Sequence, residues 1–529
     1  MSSRATDRIE RPIATLDSVR VSEVRLASPL PRGRYPHPPE CDSLTYLRYR
    51  RVDGPERPDD VDAIISLQAG ITAGASSLEI AARNLIAALA DRGLTVEVWA
   101  MERRSYGLTD ATGMRAAVEQ GDYRVAIDYY YNGKPIDGRT FAGWVPDRDQ
   151  RFLAEWGVTR TVDDWHEVHV RELPDRTVRA AKLFIGGHSL GGPLSSYYCQ
   201  TEFPGAAETV GGAGYRQVAG VLGFDGPLGS DPFRVNAVPG VRPITAGAAA
   251  AARPALLALL RRGLIPTSVT SRMLPTGAAA ILFGIAALAA RFEPEAESEL
   301  PEAIPASLDP FLRVLFPRGL FGRRPAFRDW RLTNEAVLGS INTRVSQPVM
   351  VLNLHMGGYD GPVRPKRAYL AALTRLPLLG EFLGGVLSPT PALMPADPTG
   401  RLNGWSADAA LANPADVALA AGNGRFSFLN CYDTLRNGLD LGFLSAGYRG
   451  ADLTRLRHAD YQDHLPTTTV ISQSWLPFQR RGFGHPADAI PAPGYSHTDI
   501  ISSTQPDIVI STMADFVAAN LSQNETKSA

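Results

Sequence analysis

A Gly-His-Ser-Leu-Gly segment at residues 187–191 joins a short apolar run to a segment of helical pattern. Residues 182–187 (Lys-Leu-Phe-Ile-Gly-Gly) predict a buried strand, and a helix is predicted from Gly191 onward. A strand that turns directly into a helix leaves no room for side chains two residues before or after the central position, so glycine occupies both places. The segment therefore predicts that Ser189 lies on a strained turn at the carboxyl edge of a sheet.

The surrounding chain alternates between strand and helix patterns. Residues 63–68 and 96–101 predict buried strands, residues 76–93 predict an amphipathic helix between them, and residues 218–224 predict a strand that ends at Asp225. Short apolar runs separated by helices are typical of parallel strands whose two faces are both covered. We therefore predict an α/β fold with a mainly parallel sheet.

The length of 529 residues exceeds the usual size of one domain. After Gly229 the alternation stops, and the chain is mostly helical in pattern until a strand pattern returns at Thr467. We therefore predict a large, mostly helical lid insertion in a single sheet domain. The predicted segments are an N-terminal extension without sustained periodicity (1–44), the first part of the core (45–229), the lid insertion (230–455), the last part of the core (456–522) and a tail (523–529).

Charge and cysteine content restrict the partners and the compartment. The 54 basic and 55 acidic side chains leave a formal charge of −1, which argues against nucleic acid as a partner. The three cysteines are widely spaced and no apolar run follows the N-terminal arginines, so we expect a cytoplasmic protein. The apolar runs 244–260 and 276–290 are shorter than the roughly 20 residues of a membrane span, and none is predicted.

No cofactor or metal is predicted. The glycines around Ser189 lack the Gly-Lys-Ser/Thr and Gly-x-Gly-x-x-Gly patterns of nucleotide-binding loops. His166 and His169 are one residue closer together than the two histidines of the zinc-binding pattern His-Glu-x-x-His. A serine rather than an aspartate at position 189 favours acyl transfer through the hydroxyl group.

A serine nucleophile needs a general base, usually a histidine whose pKa lies near neutrality. The base is expected late in the chain, on the loop before the last helix, which is predicted over residues 507–521. His497 lies in such a loop among small neighbours and is the preferred candidate. His485, in a Phe-Gly-His-Pro segment, is the alternative.

Two aspartates are candidates for the acid that orients the histidine. Asp225 ends a predicted strand and precedes a Gly-Pro pair, which would project its carboxylate at the same sheet edge as Ser189. Asp360 follows a strand-like segment at residues 348–354 and is the alternative.

Two backbone amides are predicted to bind the oxyanion that forms when the serine attacks a carbonyl group. The Leu190 amide lies at the predicted helix start, where the helix dipole favours negative charge. The Ile71 amide lies in the loop after the strand at residues 63–68, and Gly70 permits the turn there. The pair would form an oxyanion hole.

With these residues the chain resembles the α/β-hydrolase superfamily over about residues 60–220 and 465–521. The resemblance implies an ester-hydrolysing enzyme, and it supports Asp225 as the acid. The chain departs from the common pattern in having Ala69-Gly70 where His-Gly usually precedes the oxyanion loop. It is more similar to a bacterial subset that carries Val-Trp-Ala-Met-Glu-Arg-Arg-Ser (98–105), Tyr-Tyr-Tyr-Asn-Gly (129–133), Ile-Gly-Gly-His-Ser-Leu-Gly-Gly (185–192) and Gly-Tyr-Arg-Gln-Val-Ala-Gly-Val-Leu-Gly-Phe-Asp-Gly (214–226).

The length and the large lid are also similar to those of bacterial lactonases that act on the macrocyclic mycotoxin zearalenone. We therefore predict a serine hydrolase that cleaves ester or lactone bonds of a hydrophobic small molecule through an acyl-enzyme. The apolar lid helices are expected to cover the serine, the alternative being that they pack on each other or form a homodimer interface. The alternatives for function are a non-catalytic binding protein that kept the fold and an acyltransferase with the same catalytic residues.

Overall fold

A nine-stranded sheet forms the centre of the computed structural model, which describes residues 7–31, 33–205, 211–229, 231, 242–270, 276–316, 326–347, 353–366, 392–475, 488–504 and 508–528. The strands of this sheet are β1 (Arg8–Leu16), β2 (Val19–Ala27), β3 (Ser43–Arg51), β4 (Ala63–Gln68), β5 (Val96–Met101), β6 (Leu183–His188), β7 (Gly220–Phe224), β8 (Thr467–Ser472) and β9 (Ile490–Ala492). Their spatial order is β1-β2-β3-β5-β4-β6-β7-β8-β9. The six strands from β5 to β9 in this order are parallel, which confirms the mainly parallel sheet.

Helices cover both faces of the parallel strands. The helices outside the insertion are α1 (Glu79–Ala90), α2 (Thr112–Gln120), α3 (Arg124–Tyr130), α4 (Val158–Glu172), α5 (Arg176–Lys182), α6 (Gly191–Gln200), α14 (Asp499–Ser502) and α15 (Ile508–Ser528). Helices α1 and α15 pack on one face of the sheet, and α4 and α6 pack on the other. Every residue of β4, β5 and β6 is therefore buried, as the continuous apolar runs predict.

The N-terminal segment differs from the prediction of an extension without periodic structure. Strands β1 and β2 form an antiparallel hairpin, and β2 pairs with β3, which joins the parallel part of the sheet at β5. The apolar alternation of β2 is interrupted at Ser22 and Glu23, which are both buried, and Glu23 is paired with Arg25. Arg48 on β3 likewise contacts Glu97 on β5 and Glu10 on β1. Buried charges of this kind are tolerated because each is paired.

The insertion leaves and re-enters the sheet between two neighbouring strands. Strands β7 and β8 pair directly in parallel, with Val221 opposite Thr467, so the chain between them is an insertion in one sheet. Its helices are α7 (Arg242–Arg262), α8 (Thr276–Phe292), α9 (Leu300–Ala303), α10 (Asp309–Leu315), α11 (Asn334–Asn342), α12 (Pro414–Ala421) and α13 (Leu435–Ser445). Short strands also pair within the described residues: Gly358–Tyr359 with Trp405–Ser406, Val363–Pro365 with Leu393–Pro395 and, before the insertion, Glu202–Phe203 with Gly212–Ala213.

Helix α8 is the centre of the insertion. Its residues from Ala280 to Ala290 are all buried, and they pack in one apolar cluster with α11 and α12. The strand predicted at residues 348–354 lies mostly outside the described residues, and only Leu354 forms a bridge, to Thr343.

In the described part of the chain, one helix reaches the length and hydrophobicity of a membrane span. Residues Pro243–Arg262 of α7 have a mean hydropathy of 1.4, and 22% of this window is buried in the protein. Length and composition alone give this result, and core helices of globular proteins pass the same test. Arg253, in the middle of α7, is buried and paired with Asp440 and Asp452 of the insertion.

Candidate active site

Ser189 lies on a tight turn between β6 and α6, at the carboxyl edge of the sheet. Its φ is 55°, in the left-handed region that a serine adopts only under constraint. A Cβ atom at either Gly187 or Gly191 would overlap the carbonyl oxygen of Gln68 on β4. The glycine spacing thus follows from the contact with the neighbouring strand, and the turn presents Ser189 to a cavity.

Asp225 and His497 form a direct pair beside this turn. Nδ1 of His497 lies 2.6 Å from Oδ2 of Asp225, and the amide of Ser472 donates to Oδ1 of the same carboxylate at 2.8 Å. Asp225 has a φ of 48°, and its amide donates to the carbonyl of Val470. Strand β8 therefore fixes the carboxylate, and the carboxylate fixes the imidazole with its proton on Nδ1 and an acceptor at Nε2.

Trp475, which the sequence did not single out, also contacts the imidazole. Its Nε1 lies 3.0 Å from Nδ1 of His497, the nitrogen that also faces Asp225. One nitrogen cannot donate to the carboxylate and accept from the indole at once. The contact to the carboxylate is shorter and charge-assisted, so the Nδ1 proton of His497 points to Asp225. The indole of Trp475 then limits the position of the imidazole ring by its bulk.

Of the two alternative site residues, Asp360 is not part of this arrangement. Asp360 lies in the insertion, where its carboxylate accepts from the Gly404 amide and from Arg401 at 3.1 Å each. It is 40% exposed and makes no hydrogen bond or ion pair with His497. His485 lies outside the described residues.

The side chain of His188 supports the loop that contains His497. Its Nε2 donates to the backbone carbonyl of His497 at 2.9 Å, and the two rings lie 4.3 Å apart. Burial, reinforced by the neighbouring His497, lowers the pKa of His188 to about 3. The ring is therefore neutral near pH 7. Sequence reasoning assigned His188 to packing and did not foresee this contact.

The loop after β4 approaches Ser189 closely. A Cβ at Gly70 would lie 3.1 Å from Cβ of Ser189, so glycine permits this approach. Residues 70–73 form a turn closed by the Ala73 amide and the Gly70 carbonyl, with Thr72 at a φ of 62°. Neither the Ile71 amide nor the Leu190 amide donates to another described residue, and Ile71 lines the cavity with Ser189.

The side chains of Arg103 and Asp433 hold the loop at residues 69–72 in place through hydrogen bonds. The Arg103 guanidinium donates to the carbonyls of Ala69 and Gly70, at 2.5 and 3.0 Å, and to Asp433 at 3.0 Å. Asp433 belongs to the insertion, and its carboxylate also accepts from the Thr72 amide at 3.0 Å. Both side chains are buried, where water cannot solvate their charges. The ion pair between them compensates for this lost hydration. The double arginine at residues 103–104 was the only sequence signal for this contact.

The insertion also holds the loop that carries His497. The hydroxyl groups of Ser496 and Thr498 both donate to the carbonyl of Asn353, at 2.7 and 2.6 Å. Asp499 accepts from the His355 amide at 2.8 Å and contacts the His355 ring. The histidine is thus flanked by three residues that bond to one short segment of the insertion.

A cavity of about 470 Å³ lies between the sheet edge and the insertion. Ser189, His188 and His497 line it from the core, and no charged side chain lines it among the described residues. Its volume is within the usual range for sites that bind small organic molecules. The rest of the wall is mainly apolar, and its apolar residues include Ala279, Ala280, Phe283, Phe311, Leu315, Ile341, Leu354, Phe428, Leu429 and Ile501.

No metal-binding cluster of three or more histidine, cysteine or acidic side chains occurs in the described part of the chain. His166 and His169 both contact the hydroxyl group of Tyr198, at 3.0 and 3.2 Å, and His166 stacks on Phe203. These two histidines are components of the core on the face covered by α4 and α6.

The strand order and the strand–serine–helix turn are those of the α/β-hydrolase fold, which the chain resembles. No protein-family model and no curated protein matches the chain. Solved structures similar to it include a peroxisomal α/β-hydrolase from Saccharomyces cerevisiae (11% identity, 95% of this chain and 91% of that chain, TM-score 0.31). The juvenile hormone epoxide hydrolase of the silkworm Bombyx mori is also similar (11% identity, 96% of this chain and 80% of that chain, TM-score 0.32). So is a proline iminopeptidase of Mycobacterium smegmatis (11% identity, 97% of this chain and 99% of that chain, TM-score 0.25). These similarities are distant.

The lowered pKa of His188 predicts a loss of stability in acid. The unfolded chain takes up a proton at this histidine near pH 6.5, whereas the folded protein does so only near pH 3. Because the unfolded state binds more protons between these values, the free energy of unfolding should fall as the pH drops from about 6.5 towards 3. The fall should be smaller in His188→Asn, measured by urea unfolding at a series of pH values. The exposed His464 provides the control, and a His464→Asn variant with the same reduced slope would contradict the assignment.

Proposed function

We propose that the protein is a serine hydrolase that cleaves a carboxylic ester or lactone bond in a hydrophobic, uncharged small molecule. The observation that supports it most directly is the His497–Asp225 pair, 2.6 Å apart, at the cavity that Ser189 also lines. A hydroxyl group on a strained turn, a histidine and a buried carboxylate are the parts that acyl transfer needs.

In the proposed reaction, Ser189 Oγ attacks the carbonyl carbon while Nε2 of His497 takes the hydroxyl proton. The Ile71 and Leu190 amides stabilise the resulting oxyanion, the second with the help of the dipole of α6. The histidine then gives the proton to the leaving alkoxide, and an acyl-serine remains. Water, deprotonated by the same histidine, attacks the acyl-enzyme, and the histidine returns this proton to Ser189 Oγ as the acid product leaves. Asp225 keeps the imidazole in the required tautomer and stabilises its charged form.

The cavity wall supports an uncharged, bulky substrate. A charged substrate would lose its hydration on entering a cavity with no compensating charge among the described wall residues. An apolar substrate gains free energy from the burial of its surface against Phe283, Ile341 and Phe428. Macrocyclic lactones such as zearalenone fit this description, as do esters of long or branched alcohols.

The test is hydrolysis of a panel of aryl esters, aliphatic esters and macrocyclic lactones by the purified protein and its variants. Ser189→Ala should abolish turnover, and Asp225→Asn should lower kcat by about 10⁴-fold because the imidazole loses its orienting charge. Asp360→Asn is the matched control, since Asp360 is exposed and bonded within the insertion. Hydrolysis that survives Ser189→Ala, or that falls equally in both aspartate variants, would contradict the proposal.

A second prediction concerns the support of the oxyanion loop. Arg103→Lys keeps the charge but loses the planar group that bonds two loop carbonyls at once, so the Ile71 amide should shift. We expect kcat to fall by about 10²-fold, the order expected for one lost oxyanion donor, with a smaller change in KM. The control is Arg104→Lys, because the neighbouring Arg104 bonds Asp164 and the carbonyl of Ser28 instead. Equal losses of kcat in the two variants, or a change in KM alone, would show that Arg103 does not position the donor.

A further inference from the structure

Two amide side chains in the cavity wall each have one buried polar atom without a protein partner. These atoms are Nδ2 of Asn430 and Oε1 of Gln347, both unbonded among the described residues. Asn430 is 1% exposed and Gln347 is 3% exposed, and both line the cavity that contains Ser189. A buried polar atom that lacks a partner is costly, which makes such atoms candidates for ligand contacts.

The orientation of the Gln347 amide is fixed by its other bonds. Its Nε2 donates to the carbonyl of Ser340 at 2.6 Å, and a carbonyl can only accept. The backbone amide of Gln347 donates to Thr343 at 2.8 Å, at the end of α11. The side-chain atom left without a partner is therefore the carbonyl oxygen, which needs a donor such as a hydroxyl group.

Asn430 has the opposite polarity. Its Oδ1 accepts from the Tyr432 amide at 3.1 Å, which leaves the NH₂ group as the unpaired end. Its backbone amide donates to the Thr72 carbonyl at 2.7 Å, so the residue is joined to the turn that contains Ile71. Asn430 thus offers a hydrogen-bond donor on the oxyanion side of the cavity.

Gln347 is joined to the histidine side instead. Its backbone carbonyl accepts from Nδ2 of Asn353 at 2.9 Å, and the Asn353 carbonyl accepts from the two hydroxyl groups that flank His497. In acyl transfer the histidine returns its proton to the leaving alkoxide, so the alcohol part of an ester lies on this side. The carbonyl oxygen of the ester lies on the other side, towards the Ile71 amide.

We infer that the substrate is a neutral, mainly apolar ester or lactone whose alcohol part carries a hydroxyl group that donates to Oε1 of Gln347, while Nδ2 of Asn430 donates to the ester carbonyl oxygen. This inference rests on the proposed function and narrows it from hydrophobic esters in general to hydroxylated ones. A substrate without the hydroxyl group leaves Oε1 unpaired, so it should be used less well.

The test compares esters that differ in one hydroxyl group. The first pair is an acyl monoester of a long-chain diol and the ester of the corresponding alkanol with the same acid. A second pair carries the hydroxyl group on the acyl chain instead. The measured quantity is the ratio of kcat/KM between the hydroxylated and the plain ester, because this ratio is unaffected by the fraction of a variant that is folded.

For the native protein we expect the ratio to be about 10 to 100 for the first pair and near 1 for the second. Gln347→Met retains the shape without the acceptor and should bring the first ratio to about 1. Ser346→Ala is the matched control, since Ser346 donates to the same Ser340 carbonyl but has no part in the cavity wall, and the ratio should persist. A Gln347→Met protein that keeps the native ratio would overturn the inference.

Product inhibition of the native protein gives a second measurement that does not depend on any variant. The free diol should inhibit hydrolysis of an aryl ester at a concentration at least about 10-fold lower than the alkanol does. Ester hydrolysis without preference for either member of the first pair would overturn this inference and leave the proposed function intact. Absence of hydrolysis for every ester in both pairs and for the aryl ester would overturn both.

Discussion

The turn at Ser189 is the constraint on which the site depends. Strand β6 ends and α6 begins within three residues, and the serine in between takes a φ of 55°. The carbonyl oxygen of Gln68 on the neighbouring strand leaves no room for a side chain two residues before or after the serine. The turn can form because both of these positions are glycines. The same turn places the Leu190 amide at a helix start and sets where a base and an acid must lie.

The insertion completes the site as well as covering it. One part, at Asp433, bonds the loop that carries the Ile71 amide, and another, at Asn353, bonds the loop that carries His497. The two loops on either side of Ser189 are therefore both held by residues far from the core in sequence. An insertion that shifted relative to the sheet would move the Ile71 amide and His497, the proposed oxyanion donor and base, together. This coupling explains how a long insertion can be part of the proposed catalytic geometry.

Local patterns predicted the parts of the fold that depend on local chemistry. The apolar runs predicted the parallel strands, and the glycines at 187 and 191 predicted the turn at Ser189. Both features depend on residues that are close to one another in the sequence. The prediction for residues 1–44 was wrong, since the apolar alternation of β2 is interrupted at Ser22 and Glu23. Arg103, Trp475 and Asn430 could not be assigned from the sequence, because their partners lie tens to hundreds of residues away.

Covalent labelling tests most directly whether Ser189 is an activated nucleophile. The native protein is incubated with a fluorophosphonate, which phosphonylates an activated serine hydroxyl with loss of fluoride, and the modified peptide is located by mass spectrometry. The account predicts one phosphonyl group per chain, on Ser189, with strongly reduced labelling in Asp225→Asn and none at this site in Ser189→Ala. Labelling of another serine, or a folded native protein that is not labelled, would contradict it.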